Sequence, residues 1–262
     1  MSAGARPAVG SEWLVRLGDG DSAPDATTLI CFPFAGGNAH VFAALARALP
    51  EWIEVYAVQL PGRAMRLAQP LLDDIGPIVA ALDRELAPLV EGPYALYGTS
   101  MGAFVAYEYA RSARRRGVRA PRCLVAVAAR APHVADAGRG IHKMEAEELK
   151  VALGRYGGTP AAVLAEPELM ELLLPMVRAD FAVSENYVHD REAPLDIPIV
   201  ALGGLDDPVA PSSELAGWVE HTTGRYEEQL FPGDHFFHRH PAVQAQIVRI
   251  LGARLDPATH AS

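Results

Sequence analysis

The chain has 262 residues, and its 23 Lys and Arg side chains are outnumbered by 32 Asp and Glu side chains, which gives a formal net charge of −9 at pH 7. This acidic balance argues against a nucleic-acid-binding protein, because such proteins need a basic surface to displace the counterions around phosphates. Hydrophobic residues make up 50% of the chain and charged residues 21%, so it falls outside the disordered class and has enough apolar material for a core.

The apolar segments are too short for a membrane protein. No apolar run approaches the roughly 18 residues that span a bilayer, and residues 1–7 lack the apolar region of a signal peptide. The two cysteines, Cys31 and Cys123, each lie within an apolar run that is typical of a strand, and a small buried thiol is the ordinary interpretation of both. We therefore expect a cytoplasmic protein without a membrane segment.

Short β-rich runs alternate with helical patterns along most of the chain, after a loose leader rich in Gly, Ala, Pro and Asp that extends to about Ala26. Alternation of this kind indicates a parallel sheet with helices on both faces, and we expect one α/β domain over residues 1–262. The predicted strands are Thr28–Phe32, Ile53–Gln59, Tyr94–Tyr97, Cys123–Ala128, Ile197–Leu202 and Tyr226–Phe231. The predicted helices are Ala39–Leu49, Ile75–Val90, Met101–Arg116, Ser212–Glu220 and Pro241–Leu255.

The segment from Arg130 to about Asp190 interrupts this alternation. It contains no good strand pattern, and its helical patterns cover Glu145–Leu153 and Glu168–Val177. The second of these is apolar on nearly every side, which predicts a helix that is covered on most faces or lines a cavity. We interpret residues 130–190 as a helical insertion into the sheet domain.

The sharpest local signal is the pentapeptide Gly98–Gly102 (GTSMG), a G-x-S-x-G pattern between a predicted strand and a predicted helix. This setting is typical of a nucleophile on a tight turn, where side chains at the two glycine positions would collide with the neighbouring helix and strand. The turn presents the Ser100 hydroxyl at the carboxyl edge of the sheet, close to the N–H groups at the start of the next helix. We predict that Ser100 is a catalytic nucleophile.

A serine nucleophile needs a base, and the base needs a carboxylate that orients it. Asp207 follows the fifth predicted strand and His235 follows the sixth, so both lie at the sheet edge where Ser100 is presented. We predict a triad of Ser100, Asp207 and His235. Asp206 is the alternative acid, and Asp207 is preferred because residues 204–207 match the Gly-x-x-Asp spacing that is usual for this loop.

Two further patterns in the sequence are weaker. His235, His238 and His240 form an H-x-x-H-x-H string, but no Cys or carboxylate pair completes a ligand set at metal-site spacing. We therefore expect no metal, and we place His238 and His240 at the surface. Gly36 and Gly37 stand in no G-x-G-x-x-G or G-x-x-x-x-G-K-[ST] pattern, so no phosphate-binding loop is predicted.

The first predicted strand runs into the glycine-containing turn Cys31–Asn38, and we predict that this turn forms part of an oxyanion hole. In folds with a nucleophile of this kind, one donor is the backbone N–H of the residue after the nucleophile, and the other comes from a loop after an earlier strand. We assign the two donors to Met101 and Ala35, with Phe34 as the alternative to Ala35.

Five segments together resemble the motif set of stand-alone type II thioesterases, the α/β-hydrolase-fold editing enzymes that accompany polyketide synthases and nonribosomal peptide synthetases. The resemblance extends from about Trp13 to Leu251 in the family's order and spacing, and QLPGR together with PFAGG is its most specific part. One departure is Asp234, where many relatives have a second glycine before the histidine. The five segments are Cys31–Gly37 (CFPFAGG), Gln59–Arg63 (QLPGR), Gly98–Gly102 (GTSMG), Gly203–Pro208 (GGLDDP) and Gly233–Phe237 (GDHFF).

The resemblance implies a mostly parallel, doubly wound α/β-hydrolase sheet in which residues 130–190 form a helical lid. It implies a serine thioesterase that hydrolyses acyl groups from the phosphopantetheine arm of an acyl or peptidyl carrier protein, and so clears stalled or aberrant units from an assembly line. This chemistry needs no metal and no other cofactor, and we expect a monomer. The lid residues expected in the wall of the acyl chamber are Met144, Leu173, Leu174, Met176 and Phe181.

A basic run lies at and beyond the carboxyl end of the predicted helix that starts at Met101. Cations at that end interact favourably with the helix dipole, and this structural role is the preferred interpretation. A docking surface for an acidic carrier protein is the alternative, but the run lies a whole helix length, about 20 Å, from Ser100. The run consists of Arg111, Arg114, Arg115, Arg116, Arg119 and Arg122.

Two other functional classes fit parts of the pattern. Another serine hydrolase, such as a carboxylesterase or peptidase, would share the triad without needing the QLPGR segment or a carrier protein. An inert α/β-hydrolase that serves as a binding module would have no use for an intact triad. A fluorophosphonate probe, which labels an active serine, separates the inert class from the two enzymes.

Overall fold

The structure is a computed structural model that describes residues 11–18, 26–134 and 140–256. The strands within these residues are β1 Leu14–Leu17, β2 Thr27–Phe32, β3 Ile53–Val58, β4 Tyr94–Thr99, β5 Leu124–Val127, β6 Ile199–Gly204 and β7 Tyr226–Phe231. They form one sheet in the order β1-β3-β2-β4-β5-β6-β7. β1 is antiparallel to β3 and all other neighbours are parallel, so the predicted mostly parallel sheet is confirmed.

Three of the α-helices in the described residues start where local chemistry favours a start. Pro167 and Pro241 occupy the first turns of two of them, where a missing N–H costs no hydrogen bond. The Asp74 side chain caps the helix that begins at Ile75, by accepting a hydrogen bond from Gly76 N–H. The helices are α1 Ala43–Ala48, α2 Ile75–Glu85, α3 Met101–Arg115, α4 Ala146–Tyr156, α5 Ala161–Leu164, α6 Pro167–Glu185, α7 Ser212–Leu215 and α8 Pro241–Leu255.

Alternate residues of the central strands face opposite sides of the sheet. In β2, Ile30 and Phe32 belong to the core that also contains residues of α2 and α3. Leu29 and Cys31 belong to a second core that contains residues of α1 and α8. Because both faces are covered, the central strands β2, β4, β5 and β6 are buried along their whole length, and the predicted doubly wound arrangement is confirmed.

The strand β1 corrects the expectation that the chain is irregular up to Ala26. Leu14–Leu17 pairs along the edge of β3, with Leu14 opposite Val58. Four residues carry too little periodicity for a strand to be recognised, and this strand is specified by pairing with a partner far along the chain. The rest of the expected leader, residues 1–10 and 19–25, lies outside the described residues.

Three predicted helices are divided in the structure. The predicted helix Ala39–Leu49 is a 3-10 turn followed by α1, and the predicted helix Ser212–Glu220 is α7 followed by a 3-10 turn. The predicted helix Ile75–Val90 ends as α2 at Glu85, before a 3-10 turn that contains Pro88. Proline cannot donate the hydrogen bond that would continue an α-helix, which explains this last boundary.

The insertion contains α4, α5 and α6, and the described residues 140–190 contain no strand. Residues 135–139 of the predicted lid lie outside the described residues. Helix α6 continues through Pro175 and is longer than predicted. Its apolar pattern predicts a helix that is covered on most faces or lines a cavity. Leu169 and Leu172 are 45% and 54% exposed, whereas Leu173 and Met176 line a cavity, so the second alternative is confirmed. Among the helices described, none is long and apolar enough to cross a membrane.

Candidate active site

Ser100 lies on the turn between β4 and α3 with a left-handed backbone conformation, φ 53°. Its N–H donates to Val127 O at 2.8 Å, which ties the turn to β5. A Cβ atom at Gly98 would lie 2.4 Å from Gly102 O, and one at Gly102 would lie 2.1 Å from Phe32 O. Only glycine fits at either position, so close packing on both sides holds the strained turn in place.

His235 links the Ser100 hydroxyl to a carboxylate. Its Nε2 lies 3.1 Å from Ser100 Oγ, and its Nδ1 lies 2.8 Å from Asp207 Oδ2. His235 and Asp207 stand on the loops after β7 and β6, and both are buried. In the tautomer that satisfies both contacts, Nδ1–H donates to Asp207 and Nε2 accepts the Ser100 proton. The three predicted residues are thus arranged as a nucleophile, a base and an orienting acid.

Asp207 is held in its ionised form. Its Oδ1 accepts hydrogen bonds from Val209 N–H and Ala210 N–H at 2.8 and 3.1 Å. Burial alone would raise the pKa of this carboxyl, but the hydrogen bond and charge of His235, together with the two amides, hold it below its usual value. The neighbouring Asp206 is exposed. The structure therefore places Asp207, and not Asp206, against His235.

The predicted oxyanion donors lie beside Ser100. Met101 is the first residue of α3, and the N–H groups of a first turn have no partner within their helix. Ala35 lies in the loop after β2 and shares the lining of the cavity above Ser100. Phe34, the alternative donor, also lines this cavity, and its ring packs edge-on against Phe236 at 5.2 Å.

A cavity of about 230 Å³ lies between Ser100 and the lid. Ser100 and His235 form part of its lining, and the Tyr156 ring stands edge-on to His235 at 6.2 Å. Most of the lining is apolar, and most of that comes from the insertion. The lid residues in the lining that the sequence did not predict are Leu153, Tyr156, Gly158, Thr159, Pro160, Val163 and Val177.

Three of the five predicted wall residues, Leu173, Met176 and Phe181, line the cavity. Met144 and Leu174 do not line it, and this part of the prediction is wrong. Both pack in an apolar cluster inside the lid that also includes Met176. Successive helix residues point about 100° apart, so Leu173 and Leu174 face different surroundings. A segment that is apolar on nearly every side gives no signal for which of the two faces the cavity.

His238 is partly buried, which corrects the expectation of a surface position. Its ring packs edge-on against Phe237 at 5.6 Å, and burial lowers its pKa to about 3. His240 is exposed, as predicted. Within the described part of the chain, no three potential ligands are arranged to hold a metal ion.

Cys31 and Cys123 are buried free thiols, as predicted. Burial raises the pKa of both, that of Cys123 to about 12, so the reactive thiolate form is disfavoured. Neither belongs to the lining of the cavity above Ser100. Neither cysteine therefore competes with Ser100 as a nucleophile.

The basic run is largely tied to its own protein. Arg111 is buried and lies 2.5 Å from Glu108 Oε1. Arg114 Nη2 and Arg115 Nη1 lie 3.0 and 2.7 Å from the carboxylate of Glu192. These contacts favour the structural role of the run over a docking surface. Two more members are held similarly, Arg116 by Asp83, and Arg122 by Thr27 and Leu255.

Comparison with known proteins finds relatives along most of the chain. The thioesterase domain family matches residues 27–255. The gramicidin S biosynthesis protein GrsT of Aneurinibacillus migulanus is 35% identical over 227 residues, which make up 87% of this chain and 88% of that protein. The linear gramicidin dehydrogenase LgrE of Brevibacillus parabrevis is 34% identical over 94% of this chain and 93% of its own.

A solved structure matches the fold as well. The type II thioesterase BorB from the borrelidin biosynthetic cluster covers 93% of this chain and 97% of its own, with 35% identity and a TM-score of 0.85. The name of LgrE denotes a dehydrogenase, but the present sequence has no G-x-G-x-x-G dinucleotide-binding motif. With a family match over most of its length, and with relatives at 34 and 35% identity over most of theirs, this chain belongs to the thioesterase domain family.

Proposed function

We propose that this protein is a serine thioesterase that hydrolyses acyl groups from the phosphopantetheine arm of acyl or peptidyl carrier proteins, and so clears stalled or aberrant units from a polyketide or nonribosomal peptide assembly line. The observation that carries the proposal is the hydrogen-bonded series Ser100, His235 and Asp207 beneath an apolar cavity. The relatives from the gramicidin S and borrelidin pathways support a carrier-bound substrate. We further propose that the enzyme is a monomer and acts in the cytoplasm.

In the first half-reaction, Ser100 Oγ attacks the thioester carbonyl carbon while His235 Nε2 takes the hydroxyl proton. A carbonyl electron pair moves onto the oxygen, and the Ala35 and Met101 N–H groups donate hydrogen bonds to this oxyanion. When the oxyanion collapses, the carbon–sulfur bond breaks and the proton on His235 passes to the departing pantetheine sulfur. Ser100 is left with the acyl group as an oxygen ester.

In the second half-reaction, water attacks the same carbonyl carbon and gives one proton to His235. The oxyanion forms again at the same two N–H groups, and its collapse breaks the bond between the carbonyl carbon and Ser100 Oγ. His235 returns the proton to Ser100, and a carboxylic acid leaves. Asp207 stays ionised throughout and stabilises the positive charge that His235 carries twice in each cycle.

The cavity suits an apolar acyl group. Leu173, Met176 and Phe181, all from the lid, supply apolar wall to the cavity. Each buried methylene of a substrate contributes about 0.8 kcal/mol of transfer free energy. Binding in this cavity therefore favours acyl chains over polar groups of the same size.

The test compares one acyl group on three leaving groups: a carrier protein, a truncated pantetheine thiol and an alcohol. Contacts with the carrier lie away from the carbonyl and add to transition-state binding. We expect kcat/KM to be about ten- to a thousandfold higher on the carrier than on the pantetheine thiol, which corresponds to about 1.4–4 kcal/mol. The oxygen ester should be slower still, because an alkoxide leaves less readily than a thiolate.

The Ser100→Ala variant supplies the background rate in this comparison. Equal or faster turnover of the oxygen ester, with no gain from the carrier, would contradict the thioesterase proposal and identify a carboxylesterase that uses the same serine. Failure of a fluorophosphonate to label Ser100, together with no turnover of any substrate, would identify an inert binding module.

A further inference from the structure

A buried ion pair lies beside the oxyanion loop, which is defined here as residues 34–37. Arg63, the last residue of the QLPGR segment, donates from Nη1 to Asp180 Oδ2 at 2.7 Å and from Nη2 to Asp180 Oδ1 at 2.6 Å. The two side chains are 5% and 1% exposed. Paired contacts between a planar guanidinium and a carboxylate fix their mutual geometry. Because Asp180 belongs to α6, the pair joins the lid to the segment after β3.

The same two side chains hold the oxyanion loop by its backbone. Gly36 N–H donates to Asp180 Oδ2 at 2.7 Å, and Arg63 Nη1 donates to Gly37 O at 2.8 Å. Arg63 Nε also donates to Pro61 O at 3.2 Å, which fixes the guanidinium on its own segment. Asp180 therefore holds the loop at the Gly36 N–H, Arg63 holds it at the Gly37 carbonyl, and the two side chains are bound to each other.

These bonds limit the direction of the Ala35 N–H. Peptide groups are planar, so the φ and ψ angles of Ala35 alone relate its N–H to the N–H of Gly36. Gly36 has a left-handed backbone (φ 79°), and a Cβ atom there would lie 3.4 Å from the Val177 side chain on α6. An oxyanion donor is effective only when it points at the position where charge develops. The hydrogen bond from Gly36 N–H to Asp180 therefore restricts the direction in which the Ala35 N–H points.

The first residue of the QLPGR segment acts on the same stretch of backbone. Ala39 N–H donates to Gln59 Oε1 at 3.0 Å, just beyond the oxyanion loop. Gln59 and Arg63 together therefore bind the chain on both sides of Asn38. The QLPGR segment therefore supports the backbone beside the oxyanion loop, although none of its side chains belongs to the triad.

We propose that Arg63 and Asp180 are positioning residues that direct the Ala35 N–H toward the oxyanion. Through the same ion pair, the direction of this N–H depends on the position of the lid helix α6. The inference rests on the proposed role of Ala35 as an oxyanion donor. Phe181, which follows Asp180 directly, lines the acyl cavity. An acyl group that shifts α6 therefore acts on the oxyanion loop through a single intervening residue.

The first test is Asp180→Asn, which keeps the shape of the side chain and removes its charge. The single oxygen of an amide can occupy only one of the two carboxylate positions, so an NH2 group must face either Arg63 Nη2 or both Arg63 Nη1 and Gly36 N–H. Donor then meets donor, the paired contact with Arg63 is lost, and the loop loses its fixed direction. We expect kcat to fall about 10- to 100-fold with KM changed less than about threefold, because a misdirected donor weakens the transition state more than the bound substrate.

Two inhibitors distinguish a misdirected Ala35 N–H from a general disordering of the active site. A trifluoromethyl ketone analogue of the substrate adds to Ser100 and forms an oxyanion, whereas a thioether analogue has a methylene in place of the carbonyl. Asp180→Asn should weaken binding of the ketone by the same factor as kcat/KM. Its affinity for the thioether should stay at the wild-type value.

A double variant keeps the inference testable if Asp180→Asn does not fold. Arg63→Met combined with Asp180→Leu replaces the ion pair by apolar side chains, a change that often leaves stability unaltered or improved. Neither new side chain can bind the loop backbone, so kcat should fall as in Asp180→Asn.

The control that matches Asp180→Asn is Glu54→Gln. It also replaces a buried carboxylate by an amide, here one that lies 2.8 Å from Arg16 Nε at the sheet edge, and it should leave kcat unchanged.

Wild-type kcat in folded Asp180→Asn or in the double variant would overturn the inference, as would an equal loss of affinity for both inhibitors. Ser100→Ala is measured in the same assay. If Ser100→Ala retains activity, the proposed function itself fails. If Ser100→Ala is inactive while the Arg63 and Asp180 variants turn over normally, only the positioning role fails.

Discussion

Asp206 and Asp207 are adjacent carboxylates with opposite surroundings, since Asp206 is exposed and Asp207 lies 2.8 Å from His235 Nδ1. We expect Asp207→Asn to lower kcat about 10³- to 10⁴-fold, because an amide can favour the wrong imidazole tautomer and cannot stabilise the imidazolium. Asp206→Asn should change kcat less than about threefold. Steady-state hydrolysis of an acyl-pantetheine thioester measures both. The reverse order of effects would show that Asp206 is the acid.

His221 is a buried histidine whose two ring nitrogens both have partners. Its Nδ1 lies 2.9 Å from the Tyr107 hydroxyl and its Nε2 lies 2.8 Å from His133 Nδ1. Burial, together with the nearby charges of His189, His133 and Arg111, lowers its pKa to about 3. The folded state therefore holds His221 neutral at pH values where the unfolded chain binds a proton.

This difference predicts acid destabilisation between the unfolded pKa, about 6.5, and the folded pKa. From pH 7 to pH 5, His221 should cost about 2 kcal/mol of unfolding free energy. Urea unfolding of wild type and His221→Gln at the two pH values measures this. The variant should lose less stability on acidification by that amount. An identical loss in both proteins would contradict a neutral His221.

The triad residues could be predicted from sequence because each directly follows a recognisable strand. Contacts between distant segments could not. Arg63 and Asp180 are 117 residues apart, and no local pattern indicates that they meet. The same holds for Leu174, whose orientation within the lid depends on how α6 packs and not on its own apolar character.

At the scale of elements, the close approach of α3 to β2 allows a matched pair of glycine substitutions. A Cβ atom at Gly102 would lie 2.1 Å from Phe32 O, whereas one at Gly252 in α8 would have nothing within 4 Å. We expect Gly102→Ala to destabilise the protein by at least about 2 kcal/mol and to lower kcat, because α3 must move away with its Met101 N–H. Thermal unfolding and turnover of the folded protein measure the two effects.

Gly252→Ala is the control, because it adds the same methyl group inside a helix with open space. It should stabilise the protein by about 0.5–1 kcal/mol, since alanine loses less backbone entropy in a helix than glycine. Unchanged stability and activity in Gly102→Ala would show that α3 can separate from β2 without cost.

The strength of each element's pattern decided how well it was predicted. Five of the six parallel strands are mostly apolar runs, the sixth, β7 (YEEQLF), is more polar, and the sequence predicts the bounds of each within about two residues. β1 has four residues and depends on β3 for its pairing, so it was missed. In α6, Pro175 and an almost continuous apolar run obscured both the length of the helix and its exposed face.

At the scale of the whole molecule, the topology determines which residues meet. β2, β4, β6 and β7 are parallel, so the loops after them lie at one edge of the sheet and bring Ala35, Ser100, Asp207 and His235 together. The insertion lies between β5 and β6 in the chain and covers the same edge. The order of strands and loops was accessible from sequence, whereas the cavity between sheet and lid required tertiary structure.

The most direct test of a thioesterase that depends on Ser100 is thioester hydrolysis by the Ser100→Ala variant. Release of the pantetheine thiol from an acylated carrier protein is measured for wild type and for purified, monodisperse variant. We expect a loss of about 10³-fold or more in kcat with an unchanged unfolding temperature, because the triad acts as a unit and the variant has no nucleophile. Near-wild-type thiol release by the folded variant would contradict Ser100 as the nucleophile.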